Sequence, residues 1–194
     1  FTLNLEQGAL QNLLSSTAFA MAQQDVRYYL NGLLLEIGDD SIRAVATDGH
    51  RLALSNLSAP TYLDETRQII VPRKGVQELI RLLVDGEDNV DMTIGGSHIR
   101  ATLDGFTFTS KLIEGRFPDY NRVIPSGGDK TVIADRETLR SILQRAGILS
   151  HENIRGVRLE LEPGELHVYA NNPDQEQAED TMAVDYQGEQ LQIG

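Results

Sequence analysis

The chain has 194 residues, 40% of them apolar and 24% charged, with a formal net charge of −12 and no cysteine. This is enough apolar content for one large or two small packed domains and argues against disorder. The lack of cysteine excludes a disulfide framework and thiolate metal sites and fits a reducing cytosol, while no apolar run reaches the roughly 20 residues of a membrane helix and no signal peptide is visible.

In chain order, Phe1–Leu5 alternates like a strand, and Leu10, Leu13 and Leu14 then recur at helical spacing up to about Met21. Strands are expected near Leu30–Ile37, Ile42–Thr47 and Arg51–Leu57. The order then repeats. Gln68–Val71 reads as a strand, Pro72 as a helix-opening residue, and Val76, Leu79, Ile80 and Leu83 as one apolar stripe of a helix over 73–84. Strands near Val90–Ile94, Ile99–Leu103 and Phe106–Leu112 follow, with Asp104-Gly105 marking a tight hairpin. A third copy begins with a strand at Thr131–Ala134 and a helix over 135–147 bearing Leu139, Ile142, Leu143 and Ala146. It ends with strands near Val157–Leu161, Leu166–Ala170 and Thr181–Tyr186. The copies also match in wording: Gly32-Leu-Leu-Leu-Glu-Ile resembles Gly156-Val-Arg-Leu-Glu-Leu.

The fold class is therefore α+β, with a repeated β-α-β-β-β unit. One helix stripe and one sheet face cannot close a core alone, so two units are expected to pair. Residues 1–122 then form a complete domain, 123–130 (with Pro125-Ser-Gly-Gly) a linker, and 131–194 half of a second domain. The chain opens on Phe1 rather than Met and stops at Ile193-Gly194 in mid-pattern; a piece of a longer protein is expected.

Net acidity argues against nucleic acid, because phosphate binding is driven by Lys and Arg. Screening confines that repulsion to about 10 Å at moderate salt, so local placement decides. Arg73, Gln77 and Arg81 share one helix face, and Arg136, Arg140 and Gln144 repeat the pattern. Both helices are net positive, whereas the first has no Lys or Arg. Such faces suit phosphates without reading bases. Tyr28 and Tyr29 would point to opposite faces if extended, one into the core and the other free to stack on a base or sugar.

Thr47-Asp48-Gly49-His50-Arg51 is the segment richest in chemistry. Asp48 and His50 could orient an imidazole for acid–base work, which would make a small hydrolase. The simpler reading is a strand-to-strand turn with Gly49 at positive φ. No serine-nucleophile motif or phosphate loop accompanies it, and His50, His98, His151 and His167 are scattered singly. Neither a catalytic set, a metal site nor a cofactor is expected.

Five collinear segments carry a family resemblance: Asp25-Val-Arg-Tyr-Tyr-Leu-Asn-Gly32, Ala46-Thr-Asp-Gly-His-Arg-Leu-Ala53, Val71-Pro-Arg-Lys-Gly75, Gly115-Arg-Phe-Pro-Asp-Tyr120 and Ala170-Asn-Asn-Pro173. In order and spacing they resemble the bacterial sliding-clamp family, the beta subunits of DNA polymerase III, over essentially the whole chain: the middle domain and the first half of the last. The resemblance implies the DNA-clamp fold and a cytoplasmic, non-catalytic processivity factor that encircles double-stranded DNA as a head-to-tail dimeric ring. It places Gln24, Tyr28, Tyr29, Arg73, Lys74 and Arg81 near DNA, as the repeated pattern does Arg136 and Arg140. Arg27, Leu30, Thr47, Gly49, His50, Arg51, Leu52, Pro118, Arg122 and Val123 map to a pocket for short peptides of the polymerase catalytic subunit, the clamp loader and repair proteins. Ile148, Leu149, Glu176, Glu179 and Asp180 map to the subunit interface. The resemblance further implies that the ring and the full pocket need segments this chain lacks. A DNA-independent peptide scaffold is the other alternative.

Overall fold

The computed structural model describes residues 1–150 and 156–194; His151 lies outside the described residues. The chain divides into two compact units, Phe1–Asp119 and Tyr120–Gly194. Among the described residues no helix is long and apolar enough to cross a membrane.

In the first unit β1 (Thr2–Glu6) leads into α1 (Gln7–Ala18), followed by β2 (Gly32–Ile37), β3 (Ser41–Thr47) and β4 (Leu52–Ser58). The same order returns in β5 (Arg67–Pro72), α2 (Arg73–Leu82), β6 (Asn89–Ile94), β7 (His98–Leu103) and β8 (Phe106–Lys111). Pro72 stands one residue earlier than expected. It ends β5 as the cap residue, at φ −58° and ψ 147°, and the helix proper begins at Arg73.

Two antiparallel sheets result, ordered β1-β6-β7-β8 and β4-β3-β2-β5. The strand that opens each repeat thus crosses into the sheet of the other. Leu3 of β1 lies opposite Met92 of β6, and Val71 of β5 opposite Leu33 of β2. Each repeat covers a sheet edge of its neighbour, which is why one repeat could not stand alone. Leu10, Leu13 and Leu14 of α1, Val76 and Leu79 of α2, and Leu83 just past its end join inward residues of both sheets in one core. Ile80, expected in the same stripe, is half-buried at its margin.

The two helices are fastened to each other at both ends. The Gln11 side chain of α1 donates to the Ile80 and Leu83 carbonyls at the end of α2, at 3.0 and 2.6 Å. Buried Gln7 accepts from the Val84 N–H. In the other direction, Arg73 of α2 donates to the Met21 carbonyl just beyond α1. Terminal carbonyls have no partner within their own helix, so the Gln11 bonds supply what the end of α2 lacks. Gln11→Ala strands two such acceptors. It is expected to destabilise the first unit by about 1–3 kcal/mol, read as a lower urea midpoint at unchanged slope.

The second unit has α3 (Arg136–Ile148) and one antiparallel sheet of β9 (Arg158–Glu162), β10 (Glu165–Asn171), β11 (Gln177–Ala183) and β12 (Leu191–Ile193), ordered β11-β10-β9-β12. Asp135 caps α3, accepting from the Thr138 N–H at 2.8 Å and its hydroxyl at 2.6 Å. Ile142 and Ala146 are buried against Leu161, Leu166, Val168 and Met182, with Leu139 and Leu143 half-buried beside them.

Two expectations change here. The strand expected at 131–134 is a single bridge, Ile133 to Asp185. The strand expected at 181–186 lies earlier, because β10 pairs with residues 177–183 from Asn171↔Gln177 to Glu165↔Ala183. Backbone bonding recruits Glu179 and Asp180, which carry no apolar alternation.

Candidate DNA-facing and peptide-docking surfaces

Between α1 and β2 the chain forms a loop closed on itself. The Ala22 N–H donates to the Leu30 carbonyl at 3.0 Å. The Asp25 N–H donates to Asn31 Oδ1 at 2.9 Å, and Asn31 Nδ2 returns a bond to the Asp25 carbonyl at 2.8 Å. This closure winds Tyr28–Asn31 into a 3-10 turn, so the tyrosines are not extended. Their rings meet edge to face at 5.7 Å. Tyr28 is 57% exposed and Tyr29 half-buried, so Tyr28 is the one free to stack. Gln24, exposed at the loop's outer end, sits at φ +55°.

Arg27 is committed within this loop and to the next. Its Nε and Nη2 bond the two Asp25 oxygens at 3.0 and 2.8 Å, and Nη2 also reaches the Asp48 carbonyl at 3.2 Å. Hydrogen bonds from the Arg27 side chain and amide hold the Asp25 carboxyl at about 2, against an ordinary 3.8. A folded-state pKa below the unfolded one means that the contact is fully present above about pH 4 and is lost only as pH falls through about 2. Exchange of the Leu30 amide, corrected for its intrinsic rate, is therefore expected to stay flat from pH 7 to 4. A rise already at pH 5 would contradict this.

The turn between β3 and β4 is built by Asp48. Its carboxylate accepts from the His50 N–H (2.9 Å), the Arg51 N–H (3.1 Å) and Arg51 Nε (3.1 Å). Burial pushes this carboxyl upward, but the two amides and the Arg51 guanidinium outweigh it and leave it below the ordinary range. Asp48 therefore shapes a turn instead of orienting the His50 imidazole. The Thr47 hydroxyl accepts from the Gly49 N–H and donates to the Arg51 carbonyl. Arg51 continues to the Phe19 carbonyl at 2.8 Å and stacks over the Phe19 ring at 5.4 Å. Arg27 and Thr47–Arg51 are thus joined in one network, with half-buried Leu52 following the turn and Leu30 buried at 2%. Pro118 is exposed at the end of the first unit. Arg122, in a 3-10 turn over Tyr120–Arg122, and exposed Val123 belong to the second unit. Asp25 and Asn31 entered the sequence reading only as members of a family segment with no role of their own, and Phe19 not at all. The signal for Asp25 was its place two residues before Arg27, where an Asp side chain commonly accepts the amide at i+2.

On α2, Lys74 and Gln77 are exposed, and Arg81 is bonded to Glu78 at 2.7 and 3.0 Å. On α3, exposed Arg136 and Arg140 flank Glu137 at 2.7 and 3.8 Å. The outward face of α1 carries the neutral Asn12, Ser15 and Ser16. Arg73 differs from the others. It is half-buried and bonded to the Met21 carbonyl at 3.0 Å.

In the second unit Ile148 is 78% exposed and Leu149 half-buried at the end of α3. The three acidic residues take different partners. Glu176 accepts from Asn172 Nδ2 in the turn before β11. Glu179 points outward near Tyr169, whose phenol is raised by burial and by Glu179 and Glu160. Asp180 points to the helix side and binds Arg145 at 2.6 and 2.8 Å. Among the described residues no group of three or more His, Asp or Glu side chains is placed to hold a metal.

Residues 4–119 match the family model of the DNA polymerase III beta subunit, central domain, and residues 121–194 that of its C-terminal domain. The beta sliding clamp of Pseudomonas putida KT2440 is 58% identical over 193 residues, covering 100% of this chain and 53% of the relative. That of Escherichia coli K12 is 47% identical over 190 residues, covering 98% and 52%. Among solved structures, the DNA polymerase III subunit beta of Pseudomonas aeruginosa matches with a TM-score of 0.97 at 52% identity, over 100% of this chain and 53% of that one. A Bartonella birtlesii sliding clamp bound to griselimycin matches at 0.91 and 41%, over 99% and 53%. The chain spans about half the length of the curated relatives it matches. Across both units, it belongs to the DNA polymerase III beta subunit family.

Proposed function

We propose that these 194 residues serve a cytoplasmic, non-catalytic processivity clamp that encircles duplex DNA without reading its sequence. The observation that carries this is charge placement: in a chain of net charge −12, Lys74, Arg81, Arg136 and Arg140 stand exposed on helices. The ring is proposed for the full-length protein, as a head-to-tail dimer. The 194-residue chain alone is expected to run below ring size, and a stable two-fold ring on sizing would overturn that. Retention on DNA tests the function, using a full-length hybrid in which these residues replace the matching stretch of the P. putida relative. Once loaded, the hybrid should stay on circular duplex and leave when the circle is cut. Equal retention on both forms would count against sliding.

The Thr47–Leu52 turn supports a second element of the same reading: docking of short peptides from the polymerase catalytic subunit, the clamp loader and repair proteins. Gly49, His50 and Arg51 are exposed on a turn fixed by Asp48, with apolar Leu52 beside them. A fixed turn with an apolar neighbour and a polar rim suits peptide capture.

A further inference from the structure

We infer that Arg73 is a positioning residue for the loop that carries Gln24 and Tyr28, and acts on DNA through that loop instead of by meeting phosphate itself; this rests on the DNA-encircling reading above. Arg73 opens α2, and Nη1 donates to the Met21 carbonyl at 3.0 Å, 52 positions earlier in the chain. Met21 is buried, and its own N–H closes on the Ala18 carbonyl, so it marks where the chain leaves α1 for Gln24. A charged donor on a buried carbonyl is among the stronger neutral-acceptor contacts. Here it pins the root of the loop. Beyond that root lies Gln24 at φ +55°, a conformation that a non-glycine residue keeps only where its surroundings impose it.

The internal repeat supplies a control. Gln7 opens α1 as Arg73 opens α2. It too reaches the chain leaving the opposite helix, accepting from the Val84 N–H at 3.3 Å and donating to the Asn89 carbonyl at 3.5 Å. Gln7 is uncharged and 7% exposed, so bracing is what that place in the fold requires of a side chain. Charge at Arg73 is an addition to that role. Lys74, one residue on and exposed, is the cation of this turn left for phosphate.

Two measurements decide. On the chain itself, Arg73→Ala is expected to speed hydrogen exchange of the Ala22 and Leu30 amides about tenfold or more, while the Leu79 and Ile80 amides inside α2 keep their rates. Unchanged Ala22 and Leu30 would overturn the inference. In the full-length hybrid, Arg73→Ala is expected to weaken duplex binding roughly fivefold with no change in the salt slope. Arg73→Gln, which returns a donor without charge, should recover most of that loss. If the glutamine variant binds as weakly as alanine, and the slope of log K against log salt falls by about one, Arg73 is a phosphate contact and the inference fails. Failure of the unaltered hybrid to stay on circular duplex would instead sink the clamp reading, and the exchange measurement would still decide whether Arg73 braces the loop.

Discussion

Gly32→Ala is expected to destabilise the first unit by about 3 kcal/mol, the upper end of the usual cost of overpacking. Conformational freedom is not the reason. Gly32 is extended, at φ −141°, where any residue fits. The reason is space. A Cβ at this position would stand 2.6 Å from the Val71 carbonyl oxygen, 2.8 Å from Ile70 Cγ2 and 2.9 Å from Ile113 Cδ1. The nearest of these is backbone, held in the β2–β5 ladder, where Gly32 faces Pro72 and Leu33 faces Val71. A flexible side-chain end could swing aside, but the carbonyl of Val71, at a buried position of the ladder, cannot. Relief must therefore come from pushing β5 away from β2. β5 also runs directly into Arg73, so the displacement would reach the N-terminus of α2. Urea unfolding should show a lower midpoint at unchanged slope; a loss below about 1 kcal/mol would mean the ladder yields more easily than its burial implies.

Periodicity made most of the elements legible, because it reports which face of an element is buried. Val76, Leu79 and Leu83 fell where the 3.6-residue repeat puts them, and β1 to β8 lie within a residue or two of their alternating runs. Periodicity says nothing about which strand lies alongside. The crossing of β1 to β6 and of β5 to β2 was therefore invisible, although the need for two repeats to close one core was not. β11 was misplaced for a related reason: Gln177, Glu179 and Asp180 offer no apolar alternation, and its place is set by hydrogen bonds to β10. Once a strand runs through 179 and 180, those neighbours must face opposite ways. At the candidate docking site the Asp48-Gly49 turn was readable from residue type. The contacts that hold it were not, because Arg51 ends on the Phe19 carbonyl and Arg27 on the Asp48 carbonyl, backbone atoms that every residue has.

Gly49→Ala is expected to weaken capture of a labelled short peptide of the polymerase catalytic subunit at least tenfold in the full-length hybrid, or about 1.4 kcal/mol of binding. Two effects combine. Gly49 holds φ +90°, which strains any residue with a Cβ. That Cβ would also stand 3.0 Å from Nη2 and 3.1 Å from Nη1 of Arg27. Arg27 is the far end of a flexible side chain, but its bonds to Asp25 and the Asp48 carbonyl hold it against the turn. Either the guanidinium leaves or the turn shifts, and a shift moves Arg51 and Leu52 together because Asp48 binds both the His50 and Arg51 amides. Global stability should fall by about 1 kcal/mol, the strain of a Cβ at positive φ, and little more, since the turn is exposed and its contacts are exposed ion pairs and hydrogen bonds. The two effects can be separated with Arg27→Ala. If the clash dominates, adding Arg27→Ala to Gly49→Ala costs less than the sum of the two single losses; if backbone strain dominates, the losses add. Peptide affinity within twofold of the parent in Gly49→Ala would remove this turn from the docking surface.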